Sequence, residues 1–179
     1  MKKLAVFAIA ILLLAGCSQT TAPTPTPTDA REQNRFPDFA AVDLQGNPIS
    51  REIFADKQIT MVNVWATWCK PCATDMVHLG ELNRSIAERN LAVIGIAFDV
   101  PPDDEALLAE AIAIVDGSGA DYPSIVPDET LLDYLQNVPV FPTSYFVDSQ
   151  GYIIGSGYLG SRTVDQWLEI IDESVAALD

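Results

Sequence analysis

The sequence predicts an α/β fold, with a central mixed β-sheet flanked by helices and extended at its N-terminal side by a β-hairpin. Three observations predict it. Residues 59–66 (ITMVNVWA) and 91–98 (LAVIGIAF) are continuous apolar runs of the length expected for strands buried on both faces. Between them, Met76, Leu79, Leu82 or Asn83, and Ile86 recur at helical spacing, from Cys72 to near Asn90. Strand, helix and strand in that order form a βαβ crossover, so the two strands are expected to be parallel and close together. Further on, residues 143–147 and 152–157 read as strands joined by the turn Asp148-Ser149-Gln150-Gly151, a hairpin that makes the sheet mixed.

The remaining elements follow in order. Residues 36–50 give two short extended pieces around the turn signal Gln45-Gly46-Asn47-Pro48. Pro101-Pro102-Asp103 is expected to open a helix with Leu107, Leu108, Ala111, Ile112 and Val115 on its buried side and Gly117 as its stop. A closing helix carries Val164, Trp167, Leu168, Ile171, Val175 and Leu178 on one stripe. Gly155-Ser156-Gly157 lies inside a strand and not before a helix, so it reads as a bulge or a close approach, not as a phosphate loop.

At 179 residues the chain has room for one domain, and 49% hydrophobic residues are enough to fill a core. Asp and Glu number 25 against 10 Lys and Arg, a formal charge of -15 that repels phosphate backbones and argues against nucleic acid as a partner. One histidine and three cysteines do not make the usual four-ligand zinc site beside any other chemistry, so no metal is expected. His78 reads as a surface or half-buried helix residue. Asp103-Asp104-Glu105 reads as a solvated helix start, and Tyr122, Tyr134 and Trp167 as core or rim.

The N-terminus has a different character. Lys2 and Lys3 precede twelve apolar residues, Leu4 to Ala15, too few to span a bilayer but typical of a secretory leader. The leader ends in Leu14-Ala15-Gly16-Cys17, which resembles the lipobox of bacterial lipoproteins; by that resemblance residues 1–16 are removed and Cys17 is lipidated. Residues 17–34 then form a Thr/Pro-rich tether, in which Pro alternating with Thr favours extended polyproline II. Residues 35–179 form the folded domain.

The chemistry is expected at Trp68-Cys69-Lys70-Pro71-Cys72. A C-x-x-C pair here sits where a buried strand hands over to a helix. Three-residue spacing brings two sulfurs within disulfide reach. With Cys69 in the first helical turn, the positive helix end and its unpaired N–H groups favour a thiolate, which makes Cys69 the nucleophile. Cys72 points back into the fold, as suits a resolving thiol. Pro71 is tolerated in a first turn because its missing N–H has no partner there. The Lys70 ammonium adds positive charge near Cys69, which makes the pair more oxidising. An inert structural disulfide remains an alternative.

Residues 64–72 (VWATWCKPC) resemble the active-site segment of the thioredoxin superfamily. Phe36-Pro37-Asp38-Phe39 and Asp43-Leu44-Gln45-Gly46 resemble the N-terminal hairpin of its membrane-anchored branch, the TlpA/ResA-like thiol-disulfide oxidoreductases. Phe141-Pro142-Thr143 is similar to that branch's cis-proline loop. The resemblance implies a thioredoxin-like fold, attack by Cys69, resolution by Cys72, and Pro142 as a cis-proline facing the disulfide. Trp68, Lys70, Pro71 and Phe141 would then shape partner docking. Asn63 would stand where thioredoxin has a buried acid, and as a neutral amide it accepts no proton from Cys72. Asp75-Met76-Val77 departs from the branch's Glu-x-Pro, so Asp75 is one methylene short for the equivalent role and Val77 removes the helix kink.

The implied function is thiol-disulfide exchange without cofactor, reducing disulfides in extracytoplasmic partner proteins. A membrane thiol protein would supply the electrons to a lipid-anchored monomer. Alternatives are a disulfide-forming oxidase, a peroxiredoxin-like peroxidase, and a lipid-anchored binding module. The peroxidatic pattern P-x-x-x-T-x-x-C fails here, with Val62 and Ala66 at its Pro and Thr positions and Thr67 one residue out of register. The lipobox predicts that Cys17→Ala releases the protein from the membrane fraction of an expressing bacterium. A Cys17→Ala chain that is processed and retained like the parent would refute the anchor.

Overall fold

The structure is a computed structural model describing residues 32–178. The leader, Cys17 and most of the tether lie outside those residues. Seven strands form one sheet: β1 (Ala40–Asp43), β2 (Pro48–Ser50), β3 (Ile59–Trp65), β4 (Leu91–Ala97), β5 (Ser124–Val126), β6 (Thr143–Asp148) and β7 (Ile153–Leu159), in the spatial order β2-β1-β5-β4-β3-β6-β7. Strands β3, β4 and β5 are parallel, while β6, β7, β1 and β2 join antiparallel at the two sides. The expected βαβ unit is present, with Ile59 opposite Leu91 and Trp65 opposite Ala97. The N-terminal hairpin extends the sheet by pairing β1 with β5.

Four helices flank the sheet: α1 (Lys70–Ile86), α2 (Glu105–Ser118), α3 (Glu129–Leu135) and α4 (Val164–Ala176). Helix α1 lies on one face with α2 and α4 beside it. Met76 packs with Trp65, Ala111 and Val115 in one cluster, and Leu79, Leu82 and Ile86 pack with Met61, Val93, Trp167 and Ile171 in another. On the opposite face, Val62, Val64, Ile94 and Ile96 meet Leu131 and Leu135 of α3. That face is closed by aromatic rings. Phe36 stands edge-on to Phe54 at 5.5 Å and Tyr134 packs on Phe36 at 5.3 Å. The hairpin extension is therefore part of the core.

Several element ends differ from expectation, each for a local reason. Helix α2 starts at Glu105, because Asp104 caps it by accepting the Leu107 N–H at 2.9 Å; Pro101 to Asp103 precede the helix. It runs through Gly117 and stops at Gly119, whose φ of +69° is the left-handed conformation that glycine adopts without a Cβ clash. Leu178 lies beyond α4 and is 40% exposed, and Ser174 takes a buried place instead. Of the ambiguous pair on α1, Leu82 is the core residue, while Asn83 accepts the Val93 N–H through its side-chain oxygen at 3.0 Å. Strand β5 and helix α3 have no counterpart in the sequence reading. Gly155 and Gly157 behave as read. The β6–β7 register slips between Ser144 and Phe146, and a Cβ on Gly157 would meet Tyr145 at 2.8 Å.

Trp167 is fully buried, edge-on to Phe146 at 6.1 Å and Tyr158 at 6.0 Å, and anchors α4 to the sheet. Trp167→Ala is expected to destabilise the domain by about 3–5 kcal/mol. Urea unfolding checks this, and a loss under about 1 kcal/mol would mean that the α4 contact is dispensable.

Candidate active site

Strand β3 delivers the site. All seven of its residues are buried, and it emerges at Trp65 between β4 and β6. The chain then makes one turn, Ala66 to Cys69, closed by the Cys69 N–H on the Ala66 carbonyl at 3.0 Å. Cys69 is the N-cap of α1, with extended backbone (φ -85°, ψ 91°), and not a residue of its first turn. Its sulfur accepts the Cys72 N–H at 3.3 Å, which puts Sγ where a capping oxygen normally sits. Pro71 occupies the first helical turn, where no N–H is needed. Cys69 and Cys72 are joined as a disulfide, with α-carbons 5.3 Å apart. Both are nearly covered, at 5% and 1% exposure, so the difference in exposure expected between them is small in this oxidised state.

Around the disulfide the surface is apolar. Trp68 is 66% exposed and stands edge-on to Phe141 at 5.5 Å; Phe141 also packs on Phe98 at 5.1 Å. The Phe141–Pro142 peptide bond is cis, and Phe141 packs against the cluster that holds both cysteines. The Thr143 hydroxyl donates to the Val140 carbonyl at 2.7 Å and Gly160 N–H to the Pro142 carbonyl at 2.8 Å, which fixes this loop from both sides. Lys70 and Pro71 are exposed beside the pair.

Two buried polar groups lie on the elements that carry the pair, one on β3 and one on α1. Asn63 is buried in mid-strand and donates its amide to the Ser144 hydroxyl at 3.0 Å. Asp75, one helical turn after Cys72, is 1% exposed. One of its carboxylate oxygens accepts the Arg162 N–H at 3.2 Å, and the other has no hydrogen-bond partner. Burial pushes Asp75 up from its ordinary 3.8 to about 6, against the opposing pull of that N–H, of His78, and of the Arg162 guanidinium and Ser161 hydroxyl. Arg162 is itself held over Trp167 at 4.9 Å and Tyr158 at 5.4 Å. His78 is half-buried on α1, as its spacing implied.

The structure thus brings Trp68, Cys69, Lys70, Pro71, Cys72, Phe141 and Pro142 to one end of the sheet, with Asn63 and Asp75 buried on β3 and α1. The β7–α4 loop at Gly160 to Arg162 was missed by sequence reasoning, since nothing local marks it. Asp99 was missed as well; it accepts both the N–H and the hydroxyl of Thr67. Among the described residues, no three His, Cys, Asp or Glu side chains converge on a metal-sized site.

Fold and site together define a thioredoxin-like thiol-disulfide oxidoreductase, with its cysteine pair at a strand-to-helix junction beside a cis-proline. The chain belongs to the AhpC/TSA family, whose model matches residues 33–155. The thioredoxin-like protein YneN of Bacillus subtilis is 29% identical over 143 residues, which cover 78% of this chain and 80% of that protein. The thiol-disulfide oxidoreductase ResA of Bacillus thuringiensis is 28% identical over 130 residues, covering 73% and 70%. Among solved structures, a thiol:disulfide interchange protein of Chlorobium tepidum superposes with a TM-score of 0.66 at 22% identity, over 79% of this chain and 96% of that one. A DsbF homologue of Corynebacterium diphtheriae superposes with a TM-score of 0.62 at 26% identity, over 86% and 99%.

The raised acid at Asp75 predicts a pH-dependent stability. Below about pH 4 the acid is neutral in both folded and unfolded chains, and its burial carries no charge penalty. Between about 4 and 6 the unfolded chain gives up the proton and the native chain keeps it, so stability falls as pH rises through that window. The loss is on the order of 3 kcal/mol by neutral pH. Urea unfolding of the oxidised parent and of Asp75→Asn at pH 4 to 7 checks this: the difference between them should change across the window, and a constant difference would exclude a raised acid.

Proposed function

We propose that Cys69 is the attacking thiol and Cys72 the resolving thiol of a reductase that acts outside the cytoplasm. The Cys69 thiolate attacks one sulfur of a partner's disulfide, the partner's other sulfur leaves as thiolate, and a mixed disulfide forms. Cys72 then attacks the Cys69 sulfur. The partner departs as a dithiol, and the Cys69–Cys72 disulfide keeps the oxidation that the partner lost. A thiol donor returns the pair to the reduced state. The single observation that carries the assignment is the Cys69 sulfur at the mouth of a 17-residue helix, accepting the Cys72 N–H. There a thiolate meets backbone N–H groups and the positive end of the helix dipole.

Trp68 and Phe141 offer apolar contact to a docking partner, and Lys70 and Pro71 frame the sulfur. Asp75 and Asn63 tune the pair from below; Asp75 is the nearby group able to take up a proton. The resemblance of the Phe36–Phe39, Cys69–Cys72 and Phe141–Thr143 segments to the TlpA/ResA-like branch supports the reductive reading over an oxidase. The failed peroxidatic pattern speaks against a peroxidase. Attachment through a lipid on Cys17, with a membrane thiol protein as donor and a monomer as working unit, completes the reading; the leader and tether sequence supports it. Among the described residues no helix is long and apolar enough to cross a membrane.

Cys69→Ser should abolish catalysis of insulin reduction by dithiothreitol and form no mixed disulfide. Cys72→Ser should also stop turnover but accumulate a covalent adduct through Cys69, visible on non-reducing gels. Adducts from Cys69→Ser and none from Cys72→Ser would reverse the two roles.

A further inference from the structure

Thr67 entered the sequence reading only as a threonine out of register. In the structure it has a partner of its own. Asp99 lies two residues past the end of β4, and its carboxylate takes three contacts from Thr67. The Thr67 N–H lies 3.0 Å from Oδ1 and 3.1 Å from Oδ2, and the hydroxyl donates to Oδ2 at 2.6 Å. Charge-assisted bonds of this kind are the short, strong ones. Both residues are half-buried, which limits competition from water.

The placement of Asp99 is rigid. Phe98 N–H donates to the Trp65 carbonyl at 2.8 Å, Val100 N–H to the Ala97 carbonyl at 3.1 Å, and the Val100 side chain is buried. Thr67 is the first inner residue of the turn from Ala66 to Cys69. The second is Trp68, and the residue that closes the turn is Cys69. The carboxylate therefore ties the end of the parallel sheet to the segment that presents both the exposed indole and the sulfur.

We propose that Asp99 is a positioning residue of the redox centre, which holds the Ala66–Cys69 turn through Thr67 and whose negative charge disfavours the Cys69 thiolate. This rests on Cys69 as the attacking thiol. The Asp99 carboxylate sits on the Thr67 N–H at 3.0 Å, and the α-carbons of Thr67 and Cys69, two residues apart, are separated by at most ~7 Å, so the charge lies within about two Debye lengths of the sulfur at physiological salt. The other charged groups around the sulfur are Lys70 and the helix end, which favour the thiolate, and Asp75 below with His78 and Arg162 against it. The disulfide carries no charge, so a carboxylate that opposes the thiolate lowers the stability of the reduced form alone. The pair becomes more reducing, the direction a reductase needs.

Two variants of the full chain separate charge from brace. Asp99→Asn keeps an oxygen for Thr67 and removes the charge. It should raise the Cys69 thiolate-to-thiol ratio at pH 7 about threefold, read by thiolate absorbance, and shift the glutathione equilibrium about threefold toward the reduced protein. Thr67→Val keeps the charge and loses the hydroxyl bond. It should leave that equilibrium unchanged and slow mixed-disulfide formation by about threefold or more. Asp99→Ser replaces the Asn variant if the latter does not fold. An unaltered ratio and equilibrium in the uncharged variant would overturn the electrostatic role, and a Thr67→Val chain reacting at the parent rate would overturn the positioning role. Titration and glutathione equilibration need no partner protein, so they decide the question even if the parent fails to reduce insulin, which would instead refute the reductase reading.

Discussion

Strand β3 pairs with β4 from Ile59 to Trp65 and with β6 from Ile59 to Val64, and it is buried on both faces. In that setting the backbone polar groups find partners in β4 and β6, and the side chains are packed on both faces. The strand has no freedom to slide, because a shift of one residue would exchange Asn63 and Trp65 with Val62 and Val64 across the sheet. The end of β3 is therefore a fixed point, and the redox pair begins four residues beyond it. Helix α1 is fixed as firmly from its own side by Met76, Leu79, Leu82 and Ile86. The turn from Ala66 to Cys69 is held between two rigid bodies, which lets a sulfur serve as helix cap.

The electrostatics around that sulfur are a balance of opposing signs. The helix end and Lys70 favour a thiolate. Asp75 sits underneath, buried and reluctant to ionise, on a turn of the same helix. Asp99, two residues past the end of β4, holds the turn through Thr67. Asn63, in the middle of β3, contributes a hydrogen bond to Ser144 and no charge. A chain with formal charge -15 thus keeps the Lys70 ammonium exposed beside the cysteines.

The loops that complete the site come from distant parts of the sequence and are held mostly by backbone groups. Gly160 N–H reaches the Pro142 carbonyl, Arg162 N–H reaches Asp75, and Arg162 stacks over Trp167 of α4. Phe141 joins the exposed Trp68 to Phe98 at the end of β4. The apolar surface beside the disulfide is continuous with the core.

The sequence by itself determined the parallel β3–β4 pair, the helix between them, the β6–β7 hairpin and the cysteine pair at the strand-to-helix junction. Long apolar runs and a 3.6-residue period are local signals, and a C-x-x-C spacing is local chemistry. The three-residue strand β5 and the short α3 left no such trace, because a few apolar residues carry no period. Yet β5 is the strand through which the N-terminal hairpin joins the sheet. Only the packing of distant elements made Asp75 a buried acid one helical turn after Cys72 and held Thr67 on Asp99, 32 residues away. Burial and partners of that kind depend on which elements come together, and neighbours along the chain do not encode them.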